Sequence, residues 1–188
     1  MQKTKQIMEK LALILLISML LTISVNALSP AKLIKLEPVD IGYSDEEINI
    51  ITNVVNGEVG GLCGTIILTY ADGSQVYTDG STIHMIHAKV IDNQVKSSML
   101  PSTVYECVKQ YWSSGYTGTA WRNSSQWQEC RQDVLKALAG DIDVLDNIFA
   151  ATCDPYFCQK YTKYELYARV DWDTGWCSGT FYYYTFKG

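Results

Sequence analysis

Three sets of residues in this 188-residue chain are of types that carry chemistry. The first is Glu58, in "IITNVVNGEVGG". Ile51, Val54, Val55 and Glu58 are spaced i, i+3, i+4, i+7, so the carboxyl shares a helix face with apolar residues. It also falls in the last turn before Gly60 and Gly61, where unpaired carbonyls form the negative end of the helix dipole. Desolvation and that dipole both disfavour the ionised form. A carboxylic acid that keeps its proton near neutral pH is what a general acid for glycosidic cleavage needs. The plain alternative is a solvated residue at a frayed helix end.

The second set is Cys63 with the histidines. The order Cys before His suits a papain-like peptidase with Cys63 as nucleophile. Against it, Cys63 follows a helix and leads into a strand, whereas an activated thiolate is favoured at a helix N-terminus. His84 and His87 are three apart on a predicted helix, yet no third ligand stands at helical spacing beside them. No metal or other cofactor is expected, and both histidines read as partly exposed or locally bonded. The third set is Asp154, Asp171 and Asp173, possible partners for Glu58 in a two-carboxylate hydrolase. Asp154 precedes Pro155, a setting where aspartate commonly bonds its own backbone. Asp171 and Asp173 flank Trp172 in "RVDWDTGW", which also suits the lip of a groove.

The elements that must hold these residues are legible in outline. Ser44 and Glu47 form a capping box ahead of a first helix. "GTIILTYADGSQVYTDG" reads as a hairpin around Asp72-Gly73. A second helix follows from Ile83, Ile86, Val90 and Ile91, and a third is opened by Pro101 and by Thr103 with Glu106. A fourth is capped by Ser125 and Gln128, lined by Trp127, Cys130, Val134 and Leu138, and closed by Gly140. Trp127 is thereby assigned to the core. "YELYARV" and "GTFYYYTF" read as strands. In the latter, alternation sends Phe181, Tyr183 and Thr185 to one face and Tyr182, Tyr184 and Phe186 to the other. The sum is an α+β domain, helices first with a small antiparallel sheet at the end.

The N-terminus sets the compartment. Lys3, Lys5 and Lys10 precede the apolar run "LALILLISMLLTIS", and "VNA" offers a cleavage site after Ala27. Residues 1–27 are read as a signal peptide, 28–43 as an extended lead-in and 44–188 as one domain, a mature chain of about 160 residues. Membrane contact is then only transient, through the signal. Cleavage moves the chain from 15 basic and 20 acidic residues to 12 and 19, and the formal charge from −5 to −7. That is the wrong sign for holding nucleic acid or anionic polymers by bulk charge. Six cysteines in an exported chain suggest disulfides, some of them alternatively being buried free thiols.

On the stretches "IITNVVNGEVGG", "HAKVIDNQVKSSMLPSTVYECVKQ" and, more loosely, "CRQDVLKALAGD" with "IFAATCDPY", residues 44 to 156 resemble the SleB-type cell wall hydrolases, the spore cortex-lytic enzyme family. The resemblance implies a lysozyme-like domain, secreted to the cell wall or spore cortex, that cleaves peptidoglycan glycan strands. It makes Glu58 the catalytic acid and sets Asn93 and Gln94 beside the active-site helix, with Gln94 replacing the family's usual arginine. It also makes the hairpin at 64–79 look like an insertion. The implied reaction is lytic transglycosylation, in which one acid protonates the leaving oxygen and then takes a proton from the muramic acid's C6 hydroxyl, with no second carboxylate. Sugar rings stack on flat aromatic faces, and Tyr116, Trp121, Tyr156, Trp176 and Tyr182, with Asp154, are the expected substrate contacts of a monomeric enzyme. A non-catalytic wall-binding module is the reading from another class.

Overall fold

The structure, a computed structural model, describes residues 41–97, 100–118, 124–142, 148–175 and 177–187. The expected signal peptide, most of the lead-in, Trp121 and Trp176 lie outside them.

Helix α1 (Asp45–Val59) starts where Ser44 and Glu47 exchange bonds. The Glu47 amide donates to Ser44 Oγ, and Glu47 Oε2 accepts from the Ser44 amide at 2.9 Å. Asp45, Glu46 and Glu47 place negative charge in the first turn, where the dipole favours it. Ile48, Ile51, Val54 and Val55 are buried on the inner face, each worth roughly 1.5–3 kcal/mol of apolar burial. Strands β1 (Thr65–Tyr70) and β2 (Gln75–Thr78) form the hairpin, with Gly73 at φ 86° and the Asp72 carboxylate accepting from the Ser74 amide. Helix α2 (Gly80–Lys96) is capped by Asp79, which accepts from the Thr82 amide, and buries Ile83, Ile86, Val90 and Ile91. Helix α3 (Val104–Tyr111) is capped by Thr103, and a 3-10 turn over Ser114–Thr117 follows. Helix α4 (Ser125–Leu138) is capped by Ser124 rather than Ser125, because the Ser124 hydroxyl is the one that reaches the Trp127 amide. Gly140, at φ 88°, ends that helix in the left-handed region.

Strand β3 (Ile148–Thr152), the one-turn helix α5 (Phe157–Lys160), β4 (Tyr164–Asp173) and β5 (Ser178–Phe186) complete the chain. The domain is mixed α+β, with a five-stranded antiparallel sheet in the order β2-β1-β4-β5-β3. The hairpin is therefore not an appendage. β1 pairs with β4 along its length, from Thr65 opposite Asp173 to Tyr70 opposite Ala168, and buries Ile66 and Leu68 in the main core. The alternation expected of β5 holds. Phe181 and Tyr183 join the helix-side core, while Tyr184 lies in a second cluster with Tyr164 and Ala150. That outer face is partly roofed by Phe157 of α5, stacked 4.9 Å from Tyr184.

The cysteines are unpaired. Cys107 and Cys130 are core thiols on different helices, each pushed up to about 12 by burial. Cys153 and Cys158, five residues apart, are likewise free thiols, each pushed up chiefly by burial.

Polar side chains of α2 tie the layers together. The Asp92 carboxylate is buried yet held below the ordinary carboxylate range, because bonds from Lys96, Lys89 and the Tyr43 hydroxyl outweigh its desolvation. His87 is fully buried, with Nδ1 2.8 Å from the Tyr183 hydroxyl and Nε2 without a partner. Desolvation pushes its imidazole down to about 3. The unfolded chain then binds a proton at His87 that the folded chain refuses, so its contribution is full above pH ~6.5 and lost as pH falls toward 3. A shift of that size corresponds to a stability difference on the order of 5 kcal/mol. The melting temperature should fall between pH 6.5 and 4.5, ahead of carboxylate titration, and His87→Phe should flatten that part of the profile. An unchanged slope in the variant would remove His87 as its source.

Candidate active site

Glu58 occupies the last turn of α1 and is half-buried. Its partner is Tyr116, whose hydroxyl donates to Glu58 Oε1 at 2.7 Å. Desolvation, with the hydrogen bond and charge of Glu58 adding to it, raises the Tyr116 phenol above its ordinary range, so at neutral pH it is a fixed neutral donor. The sequence pattern placed apolar walls around the carboxyl, whereas the structure supplies it with a donor.

Two features of α1 set Tyr116 in place. Asn53 is almost fully buried. Its amide donates to the carbonyls of Tyr116 and Gly118, both at 2.8 Å, and its Oδ1 accepts from Trp127 Nε1 at 2.9 Å. One side chain thus joins α1 to the 3-10 turn and to α4. Gly57 provides the space, since a Cβ there would lie inside the van der Waals shell of Tyr116 Cε1 and 2.8 Å from its hydroxyl oxygen. The ring crosses bare helix backbone to reach a carboxylate one residue further on.

Cys153, the residue after β3, lies within charge range of Glu58, and its thiol is pushed up by burial and by that carboxylate. Strand β3 is pinned by the two α2 residues expected near the site. Asn93 Nδ2 donates to the Ile148 carbonyl at 2.9 Å and Gln94 Nε2 to the Phe149 carbonyl at 2.7 Å. Gln94 Oε1 also accepts from Trp112 Nε1 at 3.0 Å, so Gln94 links β3 to the end of α3.

The remaining candidates separate. Asp154 accepts from the Tyr156 amide and pairs with Lys160 Nζ at 2.6 Å, and the Lys160 ammonium holds it below the usual carboxylate range. It serves its turn. Asp171 is held by Thr180 Oγ1 and Arg169 Nε, and Asp173 accepts from the Gly175 amide. Tyr156 is exposed, and Tyr182 is half-buried beside Tyr184 on the outer face of the sheet.

Both histidines prove buried and bonded across elements, which corrects the expectation of partial exposure or local bonding. His84 lies between Asp133 Oδ2, 2.9 Å from Nδ1, and the Val59 carbonyl, 3.2 Å from Nε2. With Cys63 and Asp133 it lines a hollow of about 540 Å³. Both ring nitrogens are directed at Asp133 and Val59 rather than at the Cys63 thiol. The Glu58–Tyr116 pair is the better-organised chemistry.

No family model, curated protein or solved structure matches this chain.

The signals for the supporting residues were present but indirect: Asn53 as an amide within an apolar helix face, and Gly57 as a glycine within a helical pattern. Gly57→Ala should cost about 1–3 kcal/mol through the clash with Tyr116, despite alanine's better helix propensity. Adding Tyr116→Ala should remove that clash, so urea unfolding of the single and double variants should show coupling of about 1 kcal/mol or more. Additive losses would mean that Gly57 does not make room for the ring.

Proposed function

We propose that this chain is an exported enzyme that cleaves the glycan strand of peptidoglycan, with Glu58 as its single general acid/base. The observation that carries the reading is the 2.7 Å bond from Tyr116 to Glu58 Oε1. A donor on Oε1 leaves Oε2 as the oxygen that carries and delivers the proton. Protonation of the glycosidic oxygen by Oε2 breaks the bond to the muramic acid C1 and leaves Glu58 ionised. The Tyr116 hydrogen bond steadies that ion through the step, because bonds to charged acceptors are the stronger ones. The same carboxylate then takes the proton of the C6 hydroxyl as its oxygen closes on C1, which gives a 1,6-anhydro end and restores the acid.

Commitment of Asp154, Asp171 and Asp173 to local bonds favours this one-acid route over a two-carboxylate hydrolysis. The basic, apolar and small-residue order of residues 1–27 supports export, and the resemblance to the SleB-type hydrolases supports the substrate class.

Digestion of purified peptidoglycan by the full-length protein should release muropeptides lighter by one water than hydrolysed ones. Glu58→Gln should lower release by about 10²–10⁴-fold without moving the urea midpoint. Tyr116→Phe, which removes one charge-assisted hydrogen bond, should lower it by about 10–100-fold. Muropeptide release at the wild-type rate by Glu58→Gln would sink the proposal.

A further inference from the structure

A cavity of about 360 Å³ lies along β3, between the end of α3, helix α5 and the start of β4. Trp112, Phe157 and Tyr164 line it, together with Tyr111 and Tyr161, which keep 44% and 52% of their surface exposed. Aromatic side chains carry large apolar faces that are ordinarily covered, so two half-exposed rings on a concavity mark a surface built to be covered by something else. The volume falls within the ~300–1,000 Å³ range of small-molecule sites.

Polar groups accompany the rings. Gln110 Nε2 donates to the Tyr111 hydroxyl at 3.0 Å, which leaves that hydroxyl its own proton to give. Gln94 and Thr152 also line the cavity. Lys163 is held over the Tyr164 and Phe186 rings, 5.2 Å from each centroid. Flat apolar faces beside neutral donors and acceptors match a pyranose ring, which has C–H faces above and below and hydroxyl or amide groups at its edge. Gln110 is the side-chain amide at the cavity's edge, since both ends of the Gln94 amide are already bonded.

The cavity is joined to Glu58 along two separate stretches of chain. Thr152 lines the cavity, and the next residue, Cys153, lies in the field of Glu58. Trp112 lines it too, and the turn that follows carries Tyr116 to the Glu58 carboxylate. Both walls of the cavity are thus continuous in the chain with a residue that bonds to Glu58 or lies within its charge range.

We propose that this cavity is a subsite for an N-acetylhexosamine unit, with the Tyr111 and Tyr161 rings as its stacking surfaces. The proposal rests on the glycan-strand reading for the choice of substrate, but it concerns residues outside the Glu58–Tyr116 pair. The probe is the β-1,4-linked tetramer of N-acetylglucosamine, titrated calorimetrically into the full-length Glu58→Gln protein. Tyr111→Ala and Tyr161→Ala, each added to that background, should each raise Kd about tenfold, as expected for loss of one stacking ring. Tyr105→Ala, which removes an exposed ring of α3 that does not line the cavity, should leave Kd unchanged. Failure of the Glu58→Gln protein to bind the tetramer would overturn the subsite, as would wild-type Kd values in both cavity variants. A tenfold loss of binding in those variants, in a protein that cleaves no peptidoglycan, would keep the subsite and discard the catalytic reading. Normal cleavage with an unchanged KM in Tyr111→Ala and Tyr161→Ala would do the reverse.

Discussion

The site depends on one buried amide. Asn53 sits on a helix face otherwise filled by Ile and Val, and an amide there is costly unless its bonding capacity is met. Its two donors and its acceptor are met by three groups from two other parts of the chain. Folding α1 into the core therefore requires that the 3-10 turn and α4 arrive in fixed places. The three hydrogen bonds of Asn53 go to groups other than Glu58. They fix the backbone from which Tyr116 reaches Glu58, so a core-packing requirement becomes a positional one at the carboxylate.

A similar device operates on α2. Asn93 and Gln94 use side-chain amides to hold consecutive carbonyls of β3, an edge strand of the sheet. Edge strands expose unpaired backbone groups, and these two bonds occupy carbonyls that would otherwise face outward or be buried without donors. Strand β3 then ends at a defined point, and Cys153 just beyond it is within charge range of Glu58. A guanidinium at position 94 would supply donors only, whereas the glutamine also gives the acceptor that holds the Trp112 indole. Gln94 thus links helix, strand and aromatic ring, which a donor-only side chain would not do.

Local signals in the sequence were strong where the structure is local. The capping box at Ser44, the Asp72-Gly73 turn and the apolar spacing of α1, α2 and α4 each depend on residues within a few positions of one another, and each is present. What was not legible depends on distant pairing. β1 alternates like any half-buried strand, and nothing within it indicates that its partner is β4, a hundred residues on. His84 and His87 are three apart, which invites a shared ligand, but their partners are Asp133 of α4 and Tyr183 of β5. Glu58 could be singled out by its place on an apolar face, while its donor, Tyr116, reads in the sequence as an aromatic of a polar loop and an expected substrate contact, not as a partner of the acid.

The nature of that donor bears on the chemistry. A second carboxylate beside Glu58 would hold its proton by like-charge repulsion, and a lysine or arginine would discourage the proton altogether. A phenol brings no charge of its own. It bonds to one oxygen in either charge state of Glu58, and its own proton is held too firmly, by burial and by the adjacent carboxylate, to be lost in exchange. On the glycan-strand reading, a carboxyl cycling between acid and base would keep the same hydrogen-bond pattern around it. The glycine at position 57 leaves room for that contact, because a Cβ there would run into the Tyr116 ring that makes it.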